Sequence, residues 1–277
     1  MDRKRFVENC LRLYSTSELN RISQEKALAN DLVGVTIFNE PLIKITSVDN
    51  LKFSELKEPT GIGPHHLLPN EWLANAKSVI SFFFPFTEEI RKTNRQDMSY
   101  PSQGWMNGRI EGQSFINSFS SNLVSFMNAQ GFPSLAPSID PKFLMNTSQD
   151  HHQINQLYTS NWSERHIAYA CGLGTFSLSK GLITEKGIAG RLTSVITELL
   201  LPDDSASFSR IDENCVLCGK CIKNCPVGAI SFENGKNHDI CSAFLDSILE
   251  DHSPWYGCGK CQVNVPCESK NPAPKNL

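Results

Sequence analysis

Eight of the ten cysteines in this 277-residue chain lie between Cys215 and Cys267, spaced as a metal–sulfur ligand set would be. The first run reads Cys215-Val-Leu-Cys218-Gly-Lys-Cys221-Ile-Lys-Asn-Cys225-Pro226, a C-x2-C-x2-C-x3-C-P pattern. Two-residue gaps let one tight loop wrap three thiolates around a cubane [4Fe-4S] cluster, and the fourth cysteine of such a run ligates a second cluster. Four more cysteines follow, at Cys241, Cys258, Cys261 and Cys267, with Cys258-Gly259-Lys260-Cys261 forming another short-gap loop. The crossing rule then assigns Cys215, Cys218, Cys221 and Cys267 to one cluster and Cys225, Cys241, Cys258 and Cys261 to the other. Zinc competes for any C-x2-C pair, but two tetrahedral zinc sites do not call for the C-x3-C-P element.

The elements that must position these thiolates are read from patterning. Before Cys215 the chain carries only Cys10 and Cys171, so a boundary is expected at the polar, turn-forming stretch after Pro202, giving units 1–204 and 205–277. In the first unit Phe6, Val7, Cys10, Leu11 and Tyr14 repeat at helical spacing, as do Ile116, Phe119, Leu123 and Met127 before Gly131. Leu32 to Phe38 and Val79 to Phe84 are β-rich runs, so the fold class expected is α+β: an α/β layer unit followed by the two-cluster unit. Cys10 sits on an apolar helical face as a core cysteine. Cys171, before Gly172-Leu173-Gly174, takes either a buried structural role or a pocket position. Pro272 to Leu277 is expected to fray.

Composition narrows the function classes. A net charge of -3 gives no polyanion-binding surface, and the 40% hydrophobic and 20% charged shares are those of a soluble globular protein. The basic start Arg3-Lys4-Arg5 is not followed by a signal-peptide apolar core. Val79 to Phe86 and Val195 to Leu201 are too short to span a bilayer, so no membrane role and a cytoplasmic location are expected. In that compartment clustered cysteines serve metals or catalysis rather than disulfides.

Ala76-Lys77-Ser78-Val79-Ile80, Gly108-Arg109, Glu164-Arg165 and Gly172-Leu173-Gly174, followed by the cysteine runs, resemble the epoxyqueuosine reductase family. These are corrinoid-dependent iron–sulfur reductases related to the reductive dehalogenases. The resemblance implies a nitroreductase-like α/β domain that cradles cobalamin against a two-cluster, bacterial ferredoxin-like domain. It places Arg109, Gly172, Gly174, Thr175, Leu182, Thr184, Gly259 and Lys260 at the cofactor. Reduced ferredoxin or flavodoxin would feed the clusters, which would reduce cobalamin to its nucleophilic cob(I)alamin state for attack on a small electrophilic substrate. FMN in the same pocket, and an electron-transfer or activator protein docking a partner enzyme, are the competing expectations.

Three departures bear on the details. Cys261 and Cys267 are separated by five residues, with Pro266 before rather than after the last cysteine, where the family's second motif is C-x2-C-x3-C-P. The chain ends ten residues after Cys267, without the family's further C-terminal segment, so transfer RNA is an unlikely partner on this reading. Finally, the family's catalytic aspartate precedes its Glu-Arg pair by a few residues, and Tyr158 stands there; Asp140 matches the aspartate's local context further upstream. Tyr158 is the favoured proton donor and Asp140 its rival.

Overall fold

A computed structural model describes residues 1–147, 157–206 and 208–273, and most of the expected fraying tail lies outside them. The centre is a four-stranded sheet in which Ser78–Pro85 pairs antiparallel with Leu42–Ser47 on one side and Gly190–Thr197 on the other. The short strand Ser134–Leu135 closes the far edge.

Alternation explains why Ser78–Pro85 is buried along its whole length. Successive side chains of a strand point to opposite faces. Ile80, Phe82 and Phe84 join the core built on the Gln103–Ala129 helix, whereas Val79 and Phe83 face cores that include Ile167 and Ala168 of the Glu164–Ala170 helix. Phe82 and Phe84 meet Phe119 edge-on, at 5.2 and 5.1 Å between ring centroids. That geometry is favourable for aromatic quadrupoles beyond the area it buries. The sheet is therefore the middle of three layers. The Gln103–Ala129 helix approaches so closely at Gly112 that a Cβ there would meet the Phe38 ring at 2.6 Å.

One sequence expectation is corrected. Leu32 to Phe38 is not a strand: a short 3₁₀ turn, Asn30–Leu32, leads into irregular chain whose strand-like pairing is limited to isolated bridges. Its apolar residues Leu32, Ile37 and Phe38 are core side chains whose burial, not pairing, explains their type. The polar stretch after Pro202 packs on the sheet edge. Asp203 accepts from Thr46 Oγ1 and the Ser47 amide, both at 2.9 Å, and Asp204 accepts from the Ile45 amide at 2.7 Å. Those carboxylates satisfy the outer edge of the sheet, which would otherwise expose unpaired amides.

The cysteine-rich segment is held to the sheet unit by the Glu88–Arg95 helix. Glu268, almost wholly buried, accepts from Arg91 Nη1 at 2.9 Å, from Arg95, and from the Asn264 amide at 2.7 Å. Removing one partner of a buried ion pair leaves the other charge uncompensated. Glu268→Ala is expected to lower stability by roughly 3 kcal/mol, somewhat less than a fully sealed pair because Arg95 is in part open to water. Denaturant titration under anaerobic conditions measures this, and an unchanged midpoint would refute the anchoring role.

Candidate metal and cofactor site

Both cysteine loops use the same local device. Cys218-Gly219-Lys220-Cys221 and Cys258-Gly259-Lys260-Cys261 each place glycine in the left-handed region, at φ 68° and 66°, and each then enters a single helical turn. A residue with a Cβ resists that conformation. Asn224 ties the two loops, donating from Nδ2 to the Val263 carbonyl at 2.9 Å.

The sulfurs lie in two overlapping neighbourhoods, in neither of which three or more side chains among the described residues stand close enough together to hold a metal ion. Burial, with the neighbouring Cys215, Cys218 and Cys221, pushes the Cys267 thiol up to about 12. Burial does the same to Cys258, up to about 12, with Cys261 and Cys241 adding to the rise and the Lys260 amide opposing it. Cys261 in turn senses both Cys241 and Cys225. Cys221 feels Cys261 as well as Cys215 and Cys218, so the groups lie side by side. The first group encloses a small recess beside Val265 and Ile183. The second, Cys225, Cys241, Cys258 and Cys261, forms part of the wall of a cavity of ≈ 720 Å³ between the cysteine segment and the sheet unit.

The carried-over cofactor residues divide. Arg109, Leu182, Gly259 and Lys260 line the cavity. Gly259 must be glycine for a second reason, since a Cβ would overlap the Trp105 indole. Lys260 contributes no free ammonium: it is fully buried, and Nζ donates to the carbonyl and side-chain oxygens of Asn94 at 2.8 and 2.7 Å. Gly172, Gly174, Thr175 and Thr184 are not brought to the cavity. Gly172 turns at φ 77° against the Ala206 backbone, and Gly174 pairs with Thr184 in a two-stranded ribbon. Thr175 Oγ1 accepts from the Asn214 amide at 2.8 Å and Thr184 Oγ1 donates to the Gly187 carbonyl at 2.8 Å, so both hydroxyls are structural. Cys171 is buried with Sγ 4.0 Å from the Val79 carbonyl, and Cys10 is a core residue.

Neither expected proton donor lines the cavity. Tyr158, at φ 59°, stacks on His238 with centroids 5.4 Å apart. Asp140 Oδ1 accepts from the Lys142 amide at 2.8 Å, which makes it a turn former. The acid that does border the cavity is Glu164, half of the landmark Glu-Arg pair. The residue is partly exposed, but both carboxyl oxygens are sealed from solvent and accept no hydrogen bond of normal geometry from the described residues. Burial pushes its pKa up to about 7; the hydroxyls of Ser194 and Ser138 beside it oppose the rise only in part. Sequence gave no signal for this, because the pair's identity says nothing of its solvation. Arg165 lies by Cys261 and Cys241, whose charge it senses, and donates to the Lys180 carbonyl at 2.8 Å.

A raised carboxyl pKa has a sign in stability. Below about 4.5 the folded and unfolded chains both hold the proton; between 4.5 and 7 only the folded chain does, and stability falls as pH rises. Glu164→Gln is expected to remove that decline, gaining roughly 3 kcal/mol over wild type between pH 4.5 and 7.5. Denaturant midpoints of both proteins across this range test it, and parallel profiles would show that Glu164 ionises normally.

Comparison with known proteins agrees with the motif reading. Residues 209–231 match the model of the 4Fe-4S binding domain family. Epoxyqueuosine reductase of Bacillus subtilis (strain 168) is 30% identical over 135 residues, which is 45% of this chain and 34% of the relative. A solved epoxyqueuosine reductase bound to an epoxyqueuosine-modified tRNA-Tyr stem loop aligns with a TM-score of 0.53 at 16% identity, covering 96% of this chain and 64% of that one. A catabolic reductive dehalogenase aligns with a TM-score of 0.54 at 12% identity, over 83% of this chain and 30% of that one. The chain thus spans about a third of the curated relative and under two thirds of these structures. Among the described residues no helix is long and apolar enough to cross a membrane. The resemblance carried by the motifs holds: this chain is similar in sequence to epoxyqueuosine reductase and shares the fold of epoxyqueuosine reductases and reductive dehalogenases.

Proposed function

We propose that the protein is a corrinoid-dependent iron–sulfur reductase of a small electrophilic substrate, with a nitroreductase-like unit, 1–204, closing a cofactor cavity against a two-cluster unit, 205–277. The observation that carries this is the shared wall: the ≈ 720 Å³ cavity is bounded by Cys225, Cys241, Cys258 and Cys261 and by side chains of the sheet unit. Cys215, Cys218, Cys221 and Cys267 hold the outer [4Fe-4S] cluster, with Cys218 exposed to a reduced ferredoxin or flavodoxin donor.

The residues present fit a large amphipathic macrocycle. Phe83, Phe86 and Trp105 present apolar edges to the cavity, and Gln113 and Asn117 offer polar side chains to peripheral amides. A bound cobalamin supplies a strongly reducing, nucleophilic metal centre for two-electron chemistry at carbon. The net reaction, R–X + 2e⁻ + H⁺ → R–H + X⁻, takes its electrons from the clusters and its proton from the protein. Glu164 holds that proton at neutral pH and passes it toward the cavity through the adjacent Ser138 hydroxyl, which also lines the wall.

A second reading, reduction of an epoxyqueuosine-type nucleoside in RNA, is supported by the name of the 30% identical relative. The expectation that transfer RNA is an unlikely partner rests on charge and length alone, and turnover of epoxyqueuosine-containing transfer RNA decides it.

Reconstituted protein is expected to hold about eight iron and about eight labile sulfide per chain. Saturation at four irons, or preferential uptake of zinc, would break the two-cluster assignment. Hydroxocobalamin is expected to bind with micromolar or tighter affinity, followed by absorbance. A spectrum showing FMN instead, or no corrinoid uptake with both clusters intact, favours the flavin or electron-carrier alternative.

A further inference from the structure

The cavity wall carries more positive charge than its neighbours neutralise. Arg109, Arg165, Arg191, Lys236 and Lys260 line it, and Glu164 is the one carboxyl among the described lining residues. Three of these cations are accounted for. Lys260 is satisfied by Asn94, and Arg165 and Lys236 lie beside the cysteine sulfurs. Arg109 and Arg191 are not.

Their placement follows from the Gln103–Ala129 helix. Arg109, Gln113 and Asn117 recur every four residues and so form one polar stripe facing the cavity. Gln113 Nε2 donates to Asn117 Oδ1 at 2.7 Å, which turns its carbonyl oxygen toward Arg191. That oxygen accepts from Arg191 Nε at 3.1 Å and also from Nη2. A neutral amide thus orients the guanidinium along one edge, and Nη1 has no hydrogen-bond partner among the described residues. The Arg109 guanidinium lies flat on Tyr256, 4.2 Å from the ring centroid, beneath Gly257, and its buried Nε has no hydrogen-bond partner. The ion pairs among the described residues all lie elsewhere. Two guanidiniums close enough to repel, partly buried, with no counterion, are costly to assemble unless a ligand completes them.

We infer that Arg109 and Arg191 form an anion subsite that takes a carboxylate or phosphate of a small-molecule ligand in the cavity. Burial, with repulsion from Arg109, lowers the Arg191 pKa to about 9, in keeping with a cation awaiting a partner. Planar guanidinium forks suit both oxyanions. The anion could come from two sources, the phosphate of a corrinoid's nucleotide loop or an acid group on the substrate, and the inference does not depend on the corrinoid reading.

The test uses cluster-loaded protein, Arg109→Gln, Arg191→Gln and the conservative Arg191→Lys. One arm compares hydroxocobalamin with cobinamide, which lacks the nucleotide phosphate; the other compares 3-bromo-4-hydroxybenzoate with its methyl ester. Wild type is expected to prefer the anionic member of one pair by about tenfold to a hundredfold, and each Gln variant to lose that preference while Arg191→Lys keeps part of it. Whichever pair shows the preference names the source. Without ligand, Arg191→Gln is expected to melt no lower than wild type at low salt, since it deletes an uncompensated charge; a purely structural arginine would melt lower. Failure of every corrinoid to bind while the benzoate preference persists would sink the functional reading and leave this inference standing. No anion preference in wild type in either arm, or Gln variants that bind as wild type does, would overturn it.

Discussion

Everything at the cavity depends on how one short loop is pinned. The Cys258–Cys261 loop reaches the sheet unit through Lys260, whose ammonium is wholly buried and satisfied by both oxygens of Asn94, while Asn94 Nδ2 donates back to the Cys258 carbonyl at 2.9 Å. A buried ammonium without such partners would be untenable, so loop and helix must dock in one arrangement. Gly257 and Gly259 let the loop lie directly on Arg109 and Trp105. Glu268 repeats the device ten residues after Cys258, gripping Arg91 and Arg95 of the same helix. Apolar packing of Val263 into the main core and of Val265 against Ile183 and Ile188 adds to these polar contacts in fixing the cysteine segment relative to the sheet.

Apolar surface builds the cavity as well. Phe83, Phe86 and Trp105 belong to the aromatic cores of the sheet unit, yet each also presents an edge to the cavity. Low polarity around the site strengthens every charge within it. It keeps the Glu164 proton in place to about neutral pH, and it makes the bare Arg109–Arg191 pair a demand for a counterion rather than a solvated surface.

Legibility in the sequence followed the range of the interaction. The cysteine-rich segment was readable because short covalent spacing dictates which thiolates a loop can present, and the structure brings Cys215, Cys218, Cys221, Cys225, Cys241, Cys261 and Cys267 into one neighbourhood. Ser78–Pro85 and Gln103–Ala129 were readable because their periodicity is local. The run Leu32 to Phe38 misled because strand-like composition reports burial as readily as pairing. Gly172, Gly174, Thr175 and Thr184 misled differently: glycine and threonine satisfy turns and ribbons as well as pockets, and only tertiary placement separates the uses. Lys260, placed at the cofactor by the resemblance, lines the cavity but spends its ammonium on Asn94, which spacing does not reveal.

The proton donor shows the limit most clearly. Residue type favoured Asp140 and spacing favoured Tyr158, but proton donation requires an acid whose surroundings hold its proton at working pH and whose position reaches the reactants. Asp140 spends its carboxylate on a turn amide and Tyr158 its ring on His238. Glu164 has neither engagement. Its carboxyl sits at the start of a helix packed against Gly190–Thr197, where the Ser194 hydroxyl and amide and the Ser138 hydroxyl moderate the cost of burying charge. The charged groups on the elements around it, Arg191 on that strand, Lys52, Glu55 and Lys57 on the Lys52–Lys57 helix, and its own neighbours Arg165 and His166, do not figure among the causes of its raised pKa. Desolvation makes it an acid, and desolvation is a property of its packed tertiary surroundings, which residue type and spacing do not report.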